Sequence, residues 1–309
     1  MKICYANDTR FHCGSNAITE QITGMLRGQG HEIAYVIQRP WGSDVQPVHY
    51  LPDVLKLAEC DALVMNGEGT FREQAMDWEP GRLNGLRRTL WLAKELGLKV
   101  YLVNTVWYKM CADWGPLLRS LDGVAVREPA SQREMYETTG VMPDMYPDAA
   151  YYAPIDENAE ALNFRGKIVG GWVGPQNMDD QMGIGHPALR RFPYFALGIG
   201  SPDQTWSSVV KSLRSASLYI TGQHHGVYAA TKAGVPFVAL NVNTHKITGL
   251  FDWADVEIPV VRQASEIEAA MSWAVTHLTQ FAKLKAFLDT HEPWPGIPNG
   301  AGSGVDVPA

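Results

Sequence analysis

Short apolar runs and helical spacings alternate along this chain from its first residues. Residues 2–7 give an apolar start, and after a polar loop apolar residues recur at helical spacing from Ile18 to Leu26. That helical stretch stops at Gly28-Gln-Gly30, and Ile33–Ile37 is apolar again. The pattern predicts a β-loop-α unit followed by a second strand.

The same alternation continues to about residue 288. In the first half, strands are predicted at 62–65, 99–104 and 124–127, with helices at 54–58, 81–96 and 132–138. In the second half, strands are predicted at 167–172, 194–199 and 237–241 and from Leu218, with a helix at 206–214, a short helix before residue 237 and further helices to residue 288. Strands that alternate with helices predict an α/β fold with parallel sheets and helices on both faces.

A change in composition divides the chain into two parts. Residues 142–153 are rich in Pro, Tyr and Asp, and a second set of apolar strands begins at Ile168. We therefore expect an N-terminal α/β domain at 1–158 and a C-terminal one at 159–290. Residues 291–309 are rich in Pro and Gly, which is typical of an extended or mobile tail.

Composition and charge narrow the class of protein. With 309 residues, 46% hydrophobic and 19% charged, the chain is long enough for two globular domains that share a cleft. No apolar run approaches the roughly 20 residues of a membrane span, and no signal peptide precedes the first strand, so we expect a cytoplasmic protein. The net charge of −7 argues against broad attraction to nucleic acid but leaves room for a small anionic ligand.

The cysteine pattern bears on metals and disulfides. All four cysteines lie in the first 111 residues without C-x-x-C spacing, which predicts reduced thiols and no zinc site. The chain also has no Asp-x-Asp motif, so an obligatory divalent ion is not indicated. We expect no metal and no bound cofactor.

The run from Leu218 to Leu240 carries the clearest chemical signal. It is predicted as a strand, a Gly-rich polar turn, a short helix and a second strand, which places His224 and His225 in a loop beyond the carboxyl end of a strand. Open α/β sheets bind ligands at that edge, where a helix N-terminus attracts anions. A solvated histidine pair is the alternative.

The segment Asn66-Gly-Glu-Gly-Thr70 also follows a predicted strand. Gly67 and Gly69 would let the backbone come close to a phosphate or carboxylate. The segment is neither a Walker loop nor a dinucleotide fingerprint. Glu68 is a candidate general acid or base, or it caps the following turn.

Polar residues crowd the first predicted β-α loop. Arg10, His12, Ser15 and Asn16 lie there, and the N-terminal domain would present them to the cleft as contacts for an acceptor substrate. An ordinary polar loop is the alternative interpretation.

Two basic residues are candidates for anion contacts. Arg127 ends a predicted strand and offers two parallel hydrogen bonds to a carboxylate or phosphate, or it forms a structural salt bridge with Glu128 or Asp148. Lys246 follows the strand that ends at Asn241 and is a further anion contact or a solvated lysine.

Three segments together resemble the polysaccharide pyruvyl transferase family. They are Asp61–Thr70, Val124–Ser131 with Tyr146-Pro-Asp148, and Tyr219–Leu240 with Lys246. The resemblance covers most of residues 1–255. It implies a GT-B-like architecture of two facing Rossmann-like domains with parallel sheets and a cleft between them, and transfer of a pyruvyl group from phosphoenolpyruvate to a sugar hydroxyl.

Carried over by position, the resemblance assigns roles. The family's His before Gly falls on His225, the leading catalytic candidate, with His224 and Glu68 as the others. The family's Arg two places earlier falls on Gln223, which cannot supply charge, so His224 or Arg127 would replace it. Glu68 stands where members usually have another Gly. The donor-binding candidates are Gln223, Gly226, Arg127, Lys246, Gly67, Gly69 and Thr70.

Three functions fit these features. The first is transfer of a pyruvyl group from phosphoenolpyruvate to a saccharide. The second is a GT-B glycosyltransferase that uses a nucleotide-sugar donor and a saccharide or a modified base as acceptor, which the loss of the Arg at Gln223 favours. The third is a relative that binds without catalysis.

Overall fold

Two parallel β-sheets form the centre of the computed structural model, which describes residues 1–8, 12–38, 55–72, 82–171, 187–195, 197, 204–241 and 244–298. The first sheet has the order β2-β1-β3-β4-β5-β6, and the second has the order β10-β9-β8-β7. The strands are β1 (Lys2–Asp8), β2 (Glu32–Gln38), β3 (Ala62–Arg72), β4 (Lys99–Tyr108), β5 (Gly123–Val126), β6 (Asp144–Met145), β7 (Ile168–Gly170), β8 (Leu218–Thr221), β9 (Phe237–Leu240) and β10 (Val260–Val261).

Helices cover the sheets and connect the strands. In the described residues they are α1 (Cys13–Gly28), α2 (55–58), α3 (Arg82–Glu95), α4 (Gly115–Ser120), α5 (Pro129–Thr139), α6 (Pro187–Arg190), α7 (Trp206–Leu213), α8 (His224–Ala233), α9 (Lys246–Trp253), α10 (Ile267–Thr276) and α11 (Leu278–Thr290), with 3-10 turns at Ala112–Trp114, Ala149–Tyr152 and Ala264–Glu266. The predicted parallel α/β fold is confirmed. None of these helices has the length and apolar character needed to cross a bilayer.

The first sheet is buried on both faces. Along β1, Ile3 and Tyr5 belong to one hydrophobic cluster, while Cys4 and Ala6 belong to another on the opposite face. Strands covered on both faces are continuous apolar runs, which explains the pattern at the start of the chain. The larger cluster continues into the second half of the chain and includes Trp206 of α7.

Two connections join the halves, and they lie side by side. The 3-10 turn before β7 places the hydroxyl of Tyr151 2.6 Å from Asp289 Oδ1 of α11, to which it donates. The neighbouring Tyr152 hydroxyl donates to the carbonyl of Leu288 over 3.0 Å. The chain therefore passes from the first sheet to the second, and back again after α11, at one place.

The described part of the segment predicted as an extended or mobile tail, residues 291–298, has no helix or strand and packs against the first half. Trp294 and Ile297 are 9% and 1% exposed, and Gln29 Nε2 of the first half donates to the Pro295 carbonyl over 2.7 Å. The ring of Trp294 also lies 6.3 Å from that of Tyr101. Apolar burial thus fixes this segment on the first half despite its Pro and Gly content, and residues 299–309 lie outside the described part.

Candidate active site

Three neighbouring strands of the first sheet carry left-handed residues near their carboxyl ends. Asn7 of β1, Glu68 of β3 and Asn104 of β4 have φ angles of 65°, 39° and 55°. A left-handed conformation costs a residue with a side chain roughly 1–2 kcal/mol, and such strain gathers at functional sites. This edge of the sheet is therefore the first candidate for a site.

A network of amide hydrogen bonds holds this edge in place. Asn66 is fully buried, and its Oδ1 accepts from the backbone N–H of Glu68 over 3.1 Å and from Asn104 Nδ2 over 3.3 Å. The Asn7 side chain donates to the Asn66 carbonyl. Asn104 Oδ1 in turn accepts from the backbone of Ala149 over 3.1 Å. The network fixes the backbone that presents Glu68.

The prediction of a Gly-rich loop at 66–70 is wrong. These residues belong to β3, which continues to Arg72 with a register shift between Glu68 and Phe71. A Cβ on Gly67 would lie 2.1 Å from Thr105 Oγ1, so this glycine allows close packing of two strands and not the approach of a ligand. A Cβ on Gly69 would lie 3.9 Å from Lys246 Nζ, which places Lys246 at this edge. Thr70 lies in β3, and its side chain is outside the described part.

His12 and Ser15, at the start of α1, contact Glu68. His12 is the N-cap residue, and its Nδ1 accepts from the backbone N–H of Ser15 over 3.2 Å. Ser15 Oγ lies 3.1 Å from His12 Nε2 and donates to Glu68 Oε1 over 2.7 Å. Burial, followed by the charge of His225, lowers the pKa of His12 to about 4, so its ring is neutral at pH 7.

The second half contributes the start of α8. His224 and His225 were predicted in a loop, but they form the first turn of this helix and are 4% and 5% exposed. The next position, 226, is a glycine, because a Cβ there would clash with Thr221 Oγ1 at the end of β8. Close packing of strand and helix thus carries both histidines to the strand-end edge.

Asp148 faces both histidines and Arg127. Its Oδ2 lies 3.4 Å from His225 Nε2 and 3.8 Å from His224 Nδ1, and it accepts from Arg127 Nη1. Burial alone would raise the pKa of Asp148, but Arg127 and the histidines hold it well below the ordinary value. Burial, then the charge of Arg127, holds the pKa of His224 well below 6.5. Asp148 is therefore an ionised group inside the protein that orients this cluster.

The two halves meet at these side chains. The rings of His12 and His225 lie 5.0 Å apart. A Cβ on Gly14 would lie 2.6 Å from the Cβ of His225, so only glycine lets α1 approach α8 this closely. The candidate site therefore contains groups from both sheets.

The other residues predicted as substrate contacts are Gln223, Arg127, Asn16 and Arg10, and some of them hold the protein structure together instead. Gln223 is 8% exposed, and its Oε1 accepts from the backbone of Leu197 over 3.2 Å, so it ties the N-terminus of α8 to the segment at Leu197. Arg127 is 1% exposed and forms the salt bridge with Asp148 that was the alternative for this residue. Asn16 Oδ1 is buried and has no hydrogen-bond partner among the described residues. Arg10 lies outside the described part.

The sequence profile of the polysaccharide pyruvyl transferase family matches residues 12–244, which include His12, Glu68, Arg127, Asp148 and His225. The chain belongs to the polysaccharide pyruvyl transferase family. This family modifies polysaccharides by group transfer. A search of curated proteins found no match to the chain.

Solved structures with a similar fold extend the comparison of this pyruvyl transferase family member. S. aureus MnaA, solved with UDP, aligns with a TM-score of 0.57 at 9% identity over 92% of this chain and 91% of its own. The Neisseria meningitidis UDP-GlcNAc 2-epimerase bound to UDP-GlcNAc gives 0.55 at 10% identity over 92% and 94%. A functionally uncharacterised Klebsiella pneumoniae protein gives 0.53 at 11% identity over 83% and 89%. At these identities the likeness shows the fold alone, which is GT-B-like with two Rossmann-like domains.

A further contact between the halves, made by His245, was not predicted from the sequence. His245 Nε2 lies 3.0 Å from Glu128 Oε1 and 3.2 Å from Ser131 Oγ, and Glu128 also caps α5. Because both partners contact the same ring nitrogen, this is no catalytic triad, in which the carboxylate and the nucleophile contact different nitrogens of the histidine. A Cβ on Gly249 would lie 2.5 Å from Glu128 Oε2, so the contact is also tightly packed.

Two groups of side chains have the donor atoms of a metal site. They are His12, Glu68 and His225, and Asp148, His224 and His225, with the ligand atoms of each group within 4.8 Å of one another. In the first group, the N-cap hydrogen bond leaves the ring proton of His12 on Nε2, which is then a donor and no ligand. In the second, Arg127 already neutralises Asp148 and would repel a cation. Both groups fit a metal ion poorly.

Proposed function

We propose that this chain transfers a pyruvyl group from phosphoenolpyruvate to hydroxyl groups of a saccharide. The observation that carries the proposal is the meeting of His225, held by the Arg127–Asp148 ion pair, with the His12–Glu68 side of the first sheet. A site that combines buried basic groups with a facing carboxylate suits an anionic donor and a neutral polyol.

The donor would lie on the side of His225 and Lys246. Lys246 Nζ near Gly69 and the N-terminus of α8 supply positive charge for the phosphate and carboxylate of phosphoenolpyruvate. Arg127 balances the charge of Asp148, so that the carboxylate does not repel the donor. Gln223 contributes no charge here, and its bond to Leu197 gives it a structural role.

The reaction balances with the groups present. His225 gives a proton to the methylene carbon of the donor, while an acceptor oxygen bonds to the neighbouring carbon. The bond from that carbon to the phosphate oxygen then breaks, and a second acceptor hydroxyl closes a ketal. Of the two hydroxyl protons released, one balances the new methyl group and the other leaves with inorganic phosphate.

A nucleotide-sugar donor is the second candidate. It is favoured by Gln223, which stands in place of the family's Arg and is bonded to Leu197. Two of the similar structures were solved with UDP or UDP-GlcNAc. In that case the same helix N-terminus would face a diphosphate.

Product release separates the two donors. Phosphate release from phosphoenolpyruvate and UDP release from UDP-sugars are measured with methyl glycosides of glucose, galactose, mannose and N-acetylglucosamine as acceptors. We expect phosphate release that falls at least 100-fold in His225→Gln and stays unchanged in the control His277→Gln, which alters an exposed ring. UDP release without phosphate release would overturn the proposal, and so would full activity of His225→Gln.

A further inference from the structure

We propose that Glu68 is the general base that takes the proton of the attacking acceptor hydroxyl, and that His12 and Ser15 position it. This inference rests on the proposed function and assigns the acceptor side of the same site. Its starting point is the carboxylate itself, which stands where the family resemblance implies a glycine and is 9% exposed on a left-handed backbone.

Glu68 and His225 lie close together across the site. A carboxylate oxygen of Glu68 and a ring nitrogen of His225 lie within 4.8 Å of each other. One oxygen atom at about 2.7 Å from each of two groups can bridge a separation of up to about 5.4 Å. Glu68 and His225 are therefore close enough for a single acceptor hydroxyl to contact both.

The hydrogen bonds from His12 through Ser15 run in one direction, toward Glu68. Because His12 Nδ1 accepts from the backbone of Ser15, the proton of the neutral ring lies on Nε2, which donates to Ser15 Oγ. Ser15 then has its own hydroxyl proton to donate to Glu68 Oε1. The pKa of His12, lowered to about 4, keeps the ring neutral and this direction unchanged at ordinary pH. Both hydrogen bonds thus point toward Glu68 and leave its Oε1 as a hydrogen-bond acceptor.

The negative charge of a Glu68 carboxylate suits one substrate better than the other. A carboxylate beside the donor's phosphate would repel it, whereas a neutral hydroxyl is attracted as a hydrogen-bond donor. The positive groups of the site, Lys246 and the Arg127 of the ion pair, belong to the donor side described above. A carboxylate at Glu68 therefore suits a neutral hydroxyl acceptor better than the anionic donor.

The step is balanced. As the acceptor oxygen forms its bond to the donor carbon, its O–H bond breaks and the proton moves to the Glu68 carboxylate. The carboxylic acid then returns that proton to the departing phosphate. His12 and Ser15 exchange no proton with the substrate, so they are positioning residues.

The test compares Glu68→Gln with Glu137→Gln, which removes an exposed carboxylate from α5. Phosphate release is measured from pH 5 to 9 with the most active of the four methyl glycosides, and phosphoenolpyruvate binding is measured separately as a shift in Tm. We expect kcat/KM of Glu68→Gln to fall at least 100-fold and to lose its acidic limb, while the Tm shift stays. Glu137→Gln should match the wild type.

Two further variants distinguish a loss of catalysis from misfolding. Glu68→Asp keeps the charge, and we expect it to retain the acidic limb at lower kcat. Ser15→Ala should lower kcat about tenfold and move the acidic limb, because the carboxylate loses its hydrogen bond. Activity of Glu68→Gln within threefold of the wild type, an unchanged pH profile, or loss of its Tm shift would overturn the inference. Absence of both phosphate release and a Tm shift in the wild type would instead refute the proposed function.

Discussion

Replacing His12 by Asn should make the protein less sensitive to mild acid. The structure holds the pKa of His12 at about 4, against 6.5 for an ordinary histidine, mainly because the ring is buried. Between these values the unfolded chain binds a proton that the folded protein does not bind, so stability falls as the pH drops through this window. Well above pH 6.5 the ring is neutral in both states and contributes little pH dependence.

The size of the effect follows from the two pKa values. At pH 5 the unfolded histidine is almost fully protonated and the folded one is mostly neutral, which lowers the free energy of unfolding by about 2 kcal/mol relative to pH 7. Asn is a good N-cap residue, so His12→Asn keeps the cap of α1 and removes only the titration. His224, whose pKa is also lowered, contributes equally in both proteins and cancels.

The assay is urea unfolding followed by circular dichroism at pH 7 and pH 5. The loss of stability between the two pH values should be about 2 kcal/mol smaller in His12→Asn than in the wild type, while His277→Asn, at an exposed ring, should behave as the wild type. Equal losses in wild type and His12→Asn would refute the burial of a neutral ring at this position.

Two further changes test the packing around the site and the end of the chain. Asp148→Asn leaves Arg127 buried without a counter-charge and should cost about 3–5 kcal/mol in urea unfolding, with the m-value unchanged. Trp294→Ala should cost about 3 kcal/mol, because its ring is buried on the first half, whereas Trp91→Ala, at a ring that is 56% exposed, should stay within about 0.5 kcal/mol; equal costs for the two would place Trp294 in solvent.

Much of the fold followed from periodicity alone. A sequence pattern records which positions are buried. The helical spacing from Ile18 to Leu26 reflects one buried stripe of α1, and the apolar runs of β1 and β4 reflect strands buried on both faces. The Gly-rich segment at 66–70 was misassigned because Gly67 looks like a loop residue, although contact with Thr105 is what requires it. His224 and His225 were likewise predicted in the loop before α8, although they form its first turn. A short polar turn and the first turn of a helix have the same composition.

The site was predictable as a set of strand ends but not as a set of contacts. Asp148 lies in a Tyr-Pro-Asp turn that gives no local sign of facing two histidines from the other half of the chain. The left-handed Asn7 and Asn104 were visible only as polar residues after apolar strands, a signal that fits many loops. Contacts across two domains depend on tertiary packing, which one sequence does not encode at short range.

The paired connections at Tyr151–Asp289 and Tyr152–Leu288 constrain how the halves can move. A single linker would act as a tether and allow the second domain to swivel in any direction. Two chain connections that are hydrogen-bonded to each other act as a hinge, which permits rotation about one axis and resists twisting. Any relative motion of the halves would then keep His225 on a path that returns it to Glu68.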